Sequence, residues 1–268
     1  MKIVCTLITL MVMVPLLVVA KDKDDSSVYR ISVLPGQTLE QTVSSEKQFK
    51  SFELELHSEI ESWVSVTKEV ETKSSKHKGK SLVIALTVPE DASPGVYLSQ
   101  VYFDKKPSKK SKSLTVELEV LEPVISLPPE PGNENDTTVE GIDSDADGVR
   151  DDVQRYIYFE YAGQPSVQLA LMDVARSLQS ALIGAESREQ AYQAVKAFDS
   201  AYNCLSWVVP GTSYEVASRL HAKQMNTRDR TRSYDDFQSS TVGNVIMNNK
   251  PTEKYYQECS FDVSRYQE

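Results

Sequence analysis

The chain has 268 residues, 40% of them hydrophobic and 25% charged, with a formal net charge of −10. At roughly 100 to 200 residues per domain this length suggests two domains, and beyond residue 20 no stretch is long and apolar enough to span a bilayer. The acidity is too local to define a partner, because residues 123 to 155 hold nine acidic against two basic residues and the flanking regions are close to balance.

Residues 1–20, "MKIVCTLITLMVMVPLLVVA", place Lys2 before a long apolar stretch that ends in the small residue Ala20, ahead of "KDKDD". This is the layout of a secretory signal peptide cleaved after Ala20, and it predicts a secreted or periplasmic protein. An uncleaved membrane anchor is the rival reading, since the run approaches the roughly 18 residues at which a spanning helix becomes plausible. Cys5 lies too early in the segment to look like a lipid-attachment cysteine.

Residues 26–122 read as strands. "FELELH" alternates Phe52, Leu54 and Leu56 with Glu53, Glu55 and His57, the period of a sheet with one buried face. "VYRISVL", "TLEQTV", "WVSVTKEV", "SLVIALTV", "GVYLSQVYF" and "SLTVELEVL" complete seven short runs separated by polar turns, which predicts an antiparallel β-sandwich. The stretch "LTVPEDASPGVYLSQVYF", with Pro89, the pair Pro94-Gly95 and a strand opening at Tyr97, resembles bacterial immunoglobulin-like modules of secreted and envelope proteins. "VLPGQTLEQTV" is similar to an early turn of such modules. The resemblance implies an accessory or binding module and no particular ligand.

Two connections in this region are basic: "KSSKHKGK", residues 73–80, and "KKPSKKSK", residues 105–112. If the strands alternate in direction, both lie at the end of the sandwich opposite the chain's exit. Lys76, Lys78, Lys105, Lys106, Lys109 and Lys110 are then candidate contacts for an anionic envelope polymer or glycan. No aromatic residue is interleaved for base stacking, so specific nucleic-acid recognition is not expected, and a pair of solvated loops is the simpler alternative.

Residues 123–142, rich in Pro, acid and small polar residues without apolar periodicity, read as an extended linker. They run into "GIDSDADGVRDDVQRYI", which gathers five carboxylates between Asp143 and Asp152. Like charges this close repel, and a cation accounts for them better than packing does. Calcium takes six to eight oxygens, and an EF-hand loop supplies them from positions 1, 3, 5, 7, 9 and 12 with Gly at 6. Counted from Asp143, residues 143–154 supply Asp143, Asp145, Asp147, the Val149 carbonyl, Asp151 and Gln154, with Gly148 at the turn. Gln154 stands where a bidentate Glu belongs, so a further ligand must come from Asp152, water or elsewhere. The alternative is an acidic helix start, which accounts for Asp151 and Asp152 but not for three alternate aspartates.

The D-x-D-x-D-G-x-x-D spacing resembles thrombospondin type 3 and other EF-hand-like extracellular calcium loops. The resemblance implies a bound Ca2+ of weak affinity and structural role, fixing the angle between the domains. The acidic motif and the region behind it also resemble bacterial secreted proteins of uncharacterised activity, which implies an address and no reaction.

From residue 155 to 268 the period becomes helical. "VQRYIYFEYAG", "SVQLALMDVARSLQSALIG" and "SREQAYQAVKAFDSAYNCL" predict three helices, a fourth starts near Tyr214, and a less regular end follows. Arg219, Lys223, Arg228, Arg230 and Arg232, followed by Asp235 and Asp236, are read as a helix face crossed by ion pairs, with an anion site as the alternative. Cys204 and Cys259 remain after signal removal, in a compartment where disulfides persist, and are predicted to pair.

The sequence carries no H-E-x-x-H, G-x-S-x-G, P-loop or dinucleotide fingerprint, and three scattered histidines argue against an imidazole-built zinc site. The expected function is a non-catalytic binding or envelope protein with a calcium loop between two domains. The alternative is a secreted hydrolase with a carboxylate pair in the helical domain and the sandwich as targeting module.

Overall fold

A computed structural model describes residues 19–21, 27–44, 53–74, 77–102, 113–184, 187–241 and 251–266. The chain is mixed α and β and divides into two units, Met1–Glu122 and Pro123–Glu268. Apart from Val19 and Ala20, the predicted signal segment lies outside the described residues. No helix among those described is long and apolar enough to cross a membrane.

The first unit contains eight strands: β1 Val19–Lys21, β2 Ser27–Val33, β3 Thr38–Ser44, β4 Glu53–Glu55, β5 Val64–Ser74, β6 His77–Thr87, β7 Gly95–Tyr102 and β8 Ser113–Val120. They form one five-stranded sheet, β1-β2-β8-β7-β4, and one three-stranded sheet, β3-β6-β5. The seven predicted runs correspond to β2 to β8, and β1 is additional. The period of two holds along β7, where Tyr97, Ser99 and Val101 are buried while Val96 and Leu98 face solvent. Side chains from both sheets share one apolar core, including Val33, Leu39, Leu86, Tyr97 and Leu118. Tyr97 packs edge-on against Trp63 and donates its hydroxyl to the Ser93 carbonyl at 2.9 Å, so its polar tip is satisfied at the core's rim.

Two expectations need correction. The larger sheet is not wholly antiparallel, because β2 pairs parallel with β8, Val28 opposite Thr115 through Val33 opposite Val120. The first and last of the seven predicted strands have no hairpin between them, so no turn imposes the antiparallel direction. Nor is "KSSKHKGK" a loop throughout. β5 runs to Ser74 and β6 starts at His77, with Lys73 opposite Lys78.

The registers also place the strand ends that flank the two basic connections. Tyr102 pairs with Ser113 and Ser74 with His77 at one end, while Gly95 pairs with Val120 and Val64 with Leu86 at the other. The second end is where Leu121 donates to the Val33 carbonyl as the chain leaves the sheet. Lys76, Lys105, Lys106, Lys109 and Lys110 themselves lie outside the described residues, and Lys78 is described only as a strand position.

Among its described residues the second unit has five α-helices: α1 Asp151–Glu160, α2 Pro165–Ile183, α3 Arg188–Val208, α4 Ser213–Gln224 and α5 Arg228–Ser240. α2 is its centre, with Val167, Leu171, Val174 and Leu178 buried at helical spacing against Leu205 of α3 and Leu220 of α4. The single basic helix read across residues 219–237 is two helices. α4 ends at Gln224, and Thr227 starts α5 by accepting the Arg230 amide on its hydroxyl. Cys204 and Cys259 are joined, S–S 1.99 Å, tying the end of α3 to the C-terminal segment.

The segment read as an extended linker is packed onto this unit. Arg230, fully buried, donates to the Val139 carbonyl at 3.1 Å, the Thr138 carbonyl at 3.2 Å and the Asn135 carbonyl, and pairs with Asp136 at 2.8 Å. Arg150, also fully buried, holds the Asp152 carboxylate at 2.5 Å and the last carbonyls of α4, Lys223 at 3.1 Å and Gln224 at 3.2 Å. Gly141 sits between the two guanidiniums at φ +67°, and a Cβ there would collide with Arg150 and lie 2.8 Å from Arg230.

Candidate metal centre

The loop that opens α1 is folded around its own aspartates. Asp143 accepts the amides of Asp147 at 3.2 Å and Gly148 at 2.9 Å, and Asp151 accepts the Ser144 amide at 2.9 Å. These bonds curl the chain so that alternate side chains turn inward. The curl requires left-handed backbone at Ala146, φ 55°, and at Gly148, φ 86°; the glycine takes that conformation at no steric cost. A Cβ at Gly148 would also stand 3.2 Å from Arg176, whose guanidinium donates to the Asp147 carbonyl at 2.8 Å.

As a result, one oxygen from each of Asp143, Asp145 and Asp151 lies within 4.8 Å of the others. Such a cluster suits a hard divalent cation, because three negative oxygens on one side of a loop repel until a positive charge is placed among them. Of the six ligands expected from spacing, Asp143, Asp145 and Asp151 converge. Asp147 turns aside, its carboxylate accepting the Val149 amide at 2.8 Å. Val149 is fully buried in the helical core and anchors the loop through its side chain.

Gln154 reaches the cluster from the first turn of α1. It is fully buried, and its amide nitrogen lies 3.2 Å from Asp145 and 2.8 Å from the Ser126 hydroxyl, while its side-chain oxygen has no partner. A buried amide oxygen left unpaired is costly. The two ends of an amide exchange by a half-turn of the side chain, and here that half-turn presents the oxygen to the cluster.

The carboxyls differ in their environments. Burial opposes the charge on Asp145, but hydrogen bonds from Ser126, Gln154 and the Asp147 backbone outweigh it and hold its carboxyl below the usual range. Burial pushes Asp147 up, and the charges of Asp145 and Asp143 add to that against the Val149 amide and Arg176. Asp152 is spoken for. Burial works against its charge, yet Arg150 and then Lys223, 3.5 Å away, hold it low. Neither Asp151 nor Asp152 caps the amides of α1, since one turns back to Ser144 and the other to Arg150.

Spacing alone missed Ser126, whose hydroxyl donates to Asp145 at 2.9 Å from outside the acidic motif. Nothing in a Pro-rich stretch signals that contact.

No protein-family model matches this sequence, and the comparison with characterised proteins finds no match. Among solved structures, a family 123 glycoside hydrolase from Clostridium perfringens, studied for glycolipid glycan hydrolysis, aligns with 40% of this chain at 15% identity and a TM-score of 0.27. The aligned part spans a quarter of that enzyme's length. The solution structure of Amebosin aligns with 34% of this chain and 88% of its own, at 14% identity and a TM-score of 0.19.

Proposed function

We propose that this chain is a secreted or periplasmic, non-catalytic binding or envelope protein whose second unit is organised by a structural calcium ion. The ion would be held by Asp143, Asp145 and Asp151, completed by Gln154. The observation that carries this reading is the convergence of those three carboxylates beside a fully buried amide oxygen that has no partner. A hard cation would offset the excess negative charge, and a half-turn of the Gln154 amide would give its oxygen to the ion.

In this reading the first unit is an immunoglobulin-like binding module. Its seven period-two runs and the shared core of its two sheets support that architecture. The basic stretches 73–80 and 105–112 are the part of the module suited by charge to an anionic polymer. The calcium acts on the second unit, where the acidic loop and the preceding segment are packed, in a structural role.

Calorimetric titration of the protein with calcium, beside Asp145→Ala, tests this directly. Saturable binding at or below the 10⁻⁴ to 10⁻³ M typical of extracellular modules, lost in the variant, is the expected result. No heat of binding and no change in melting temperature at millimolar calcium would reject it.

A further inference from the structure

The loop lacks the bidentate glutamate that closes an EF-hand shell, and the neighbouring acid does not replace it. The Asp152 carboxylate is committed to Arg150 at 2.5 Å and lies 3.5 Å from Lys223. A residue outside the motif also reaches the cluster. Ser126 donates its hydroxyl to Asp145 at 2.9 Å and accepts the Gln154 amide at 2.8 Å, and its carbonyl is 3.1 Å from the same nitrogen.

We infer that Ser126 supplies the missing oxygen ligand through its hydroxyl, so that calcium occupancy fastens the segment following Glu122 onto the helical unit. This rests on the calcium reading above. Oxygens at adjacent positions of a six-to-eight-coordinate shell, each 2.3 to 2.6 Å from the ion, lie about 3 Å apart. The separation between Ser126 and Asp145 already matches that spacing. No large rearrangement is needed: the serine hydrogen turns away and the Gln154 amide turns over, which brings the Ser126 hydroxyl oxygen and the Gln154 amide oxygen to the ion.

The residues on either side of Ser126 hold it there. Ile125 packs against the helical core, and the carbonyl of Pro128 accepts Arg155 at 2.6 Å. Ser126 is therefore pre-positioned, which reduces the entropy lost on binding. The first unit ends at Glu122, so only Pro123, Val124 and Ile125 separate it from the proposed ligand. The cation thereby regulates how firmly the connecting segment is held, a role that a loop closed by its own glutamate would not have.

The test compares calcium binding by the wild-type protein, Ser126→Ala, Ser126→Thr and Asp145→Ala, with hydrogen exchange of residues 123–131 read in calcium and in chelator. The expected result is an affinity about tenfold lower in Ser126→Ala, the low end of what removing a metal-site partner costs, with most of it kept in Ser126→Thr. Calcium should slow exchange in 123–131 of the wild type but not of Ser126→Ala. If Ser126→Ala binds like the wild type while Asp145→Ala does not bind, the serine assignment fails and the calcium site stands. If Ser126→Ala is weakened and Ser126→Thr is no better, the hydroxyl is not a ligand. If the wild type does not bind calcium, both readings fall.

Discussion

The two units bury different kinds of side chain. Among the described residues of the β unit, Ser99 is the buried polar side chain, surrounded by a core of Val, Leu, Ile and Tyr. The helical unit buries Asn135, Arg150, Gln154, Gln168, Gln224 and Arg230 alongside its apolar centre. The guanidiniums of Arg150 and Arg230 satisfy carbonyls of loops and of a helix end. The β unit is thus specified mainly by side-chain alternation, and the helical unit by alternation plus a polar network that fixes where its irregular segments lie. Such a network rigidifies only when complete, and losing one member leaves several buried groups unpaired.

The largest expected effect falls on the helical unit alone. Replacing Cys204 and Cys259 by serine opens a loop of 55 residues and should cost about 4 kcal/mol on chain-entropy grounds. The chain has two tryptophans, Trp63 in the β unit and Trp207 in α3, so Trp63→Phe and Trp207→Phe backgrounds report the units separately by fluorescence during urea unfolding. An equal shift of both reporters would break the comparison.

Arg230→Met should follow, at about 3 kcal/mol. It strands the carbonyls of Asn135, Thr138 and Val139 and the Asp136 carboxylate, with part of the cost recovered because Asp136 is half-exposed. Exchange protection in residues 133–142 should fall with it. Leu118→Ala should cost about 2 to 3 kcal/mol by opening a cavity in the shared core of the two sheets. Its effect belongs to the Trp63 reporter, the reverse of the first two.

The smallest effect depends on pH. Burial against Tyr234 lowers the pKa of His221 below its ordinary 6.5, so the folded protein prefers the neutral ring. This contribution is complete above pH of about 6.5 and is lost as the pH falls below that value toward the folded pKa. The Trp207-reported melting temperature should therefore drop more between pH 7.5 and 5.5 in the wild type than in His221→Gln. Equal drops would remove the histidine from the account.

What the sequence made legible follows from range. The alternation of "FELELH" and the helical spacing of "SVQLALMDVARSLQSALIG" are local, and they located β2 to β8 and α1 to α4. The parallel pairing of β2 with β8 depends on residues some 87 positions apart and left no local mark. α5 was hidden because "RDRTRSYDDFQSS" buries little apolar surface; Phe237 and the Arg230 guanidinium do most of its anchoring. Residues 123–142 looked like a linker because their few apolar side chains, Ile125 among them, keep no helical or strand period, and many of the contacts that fix the segment are made to its carbonyls. In the acidic loop, the spacing singled out Asp143, Asp145 and Asp151, whose carboxylates converge. It could not show that Asp147 accepts the Val149 amide, nor that Ser126 approaches Asp145, because both depend on the folded loop.

Differential scanning calorimetry of the protein in millimolar calcium and in chelator, with Asp145→Ala alongside, tests the central claim most directly. Calcium at about ten times its dissociation constant would stabilise the state that binds it by about 1.4 kcal/mol. The account predicts an upward shift of the transition reported by Trp207, no shift of that reported by Trp63, and no response in the variant. A calcium response that is absent, or that survives in Asp145→Ala, would contradict it.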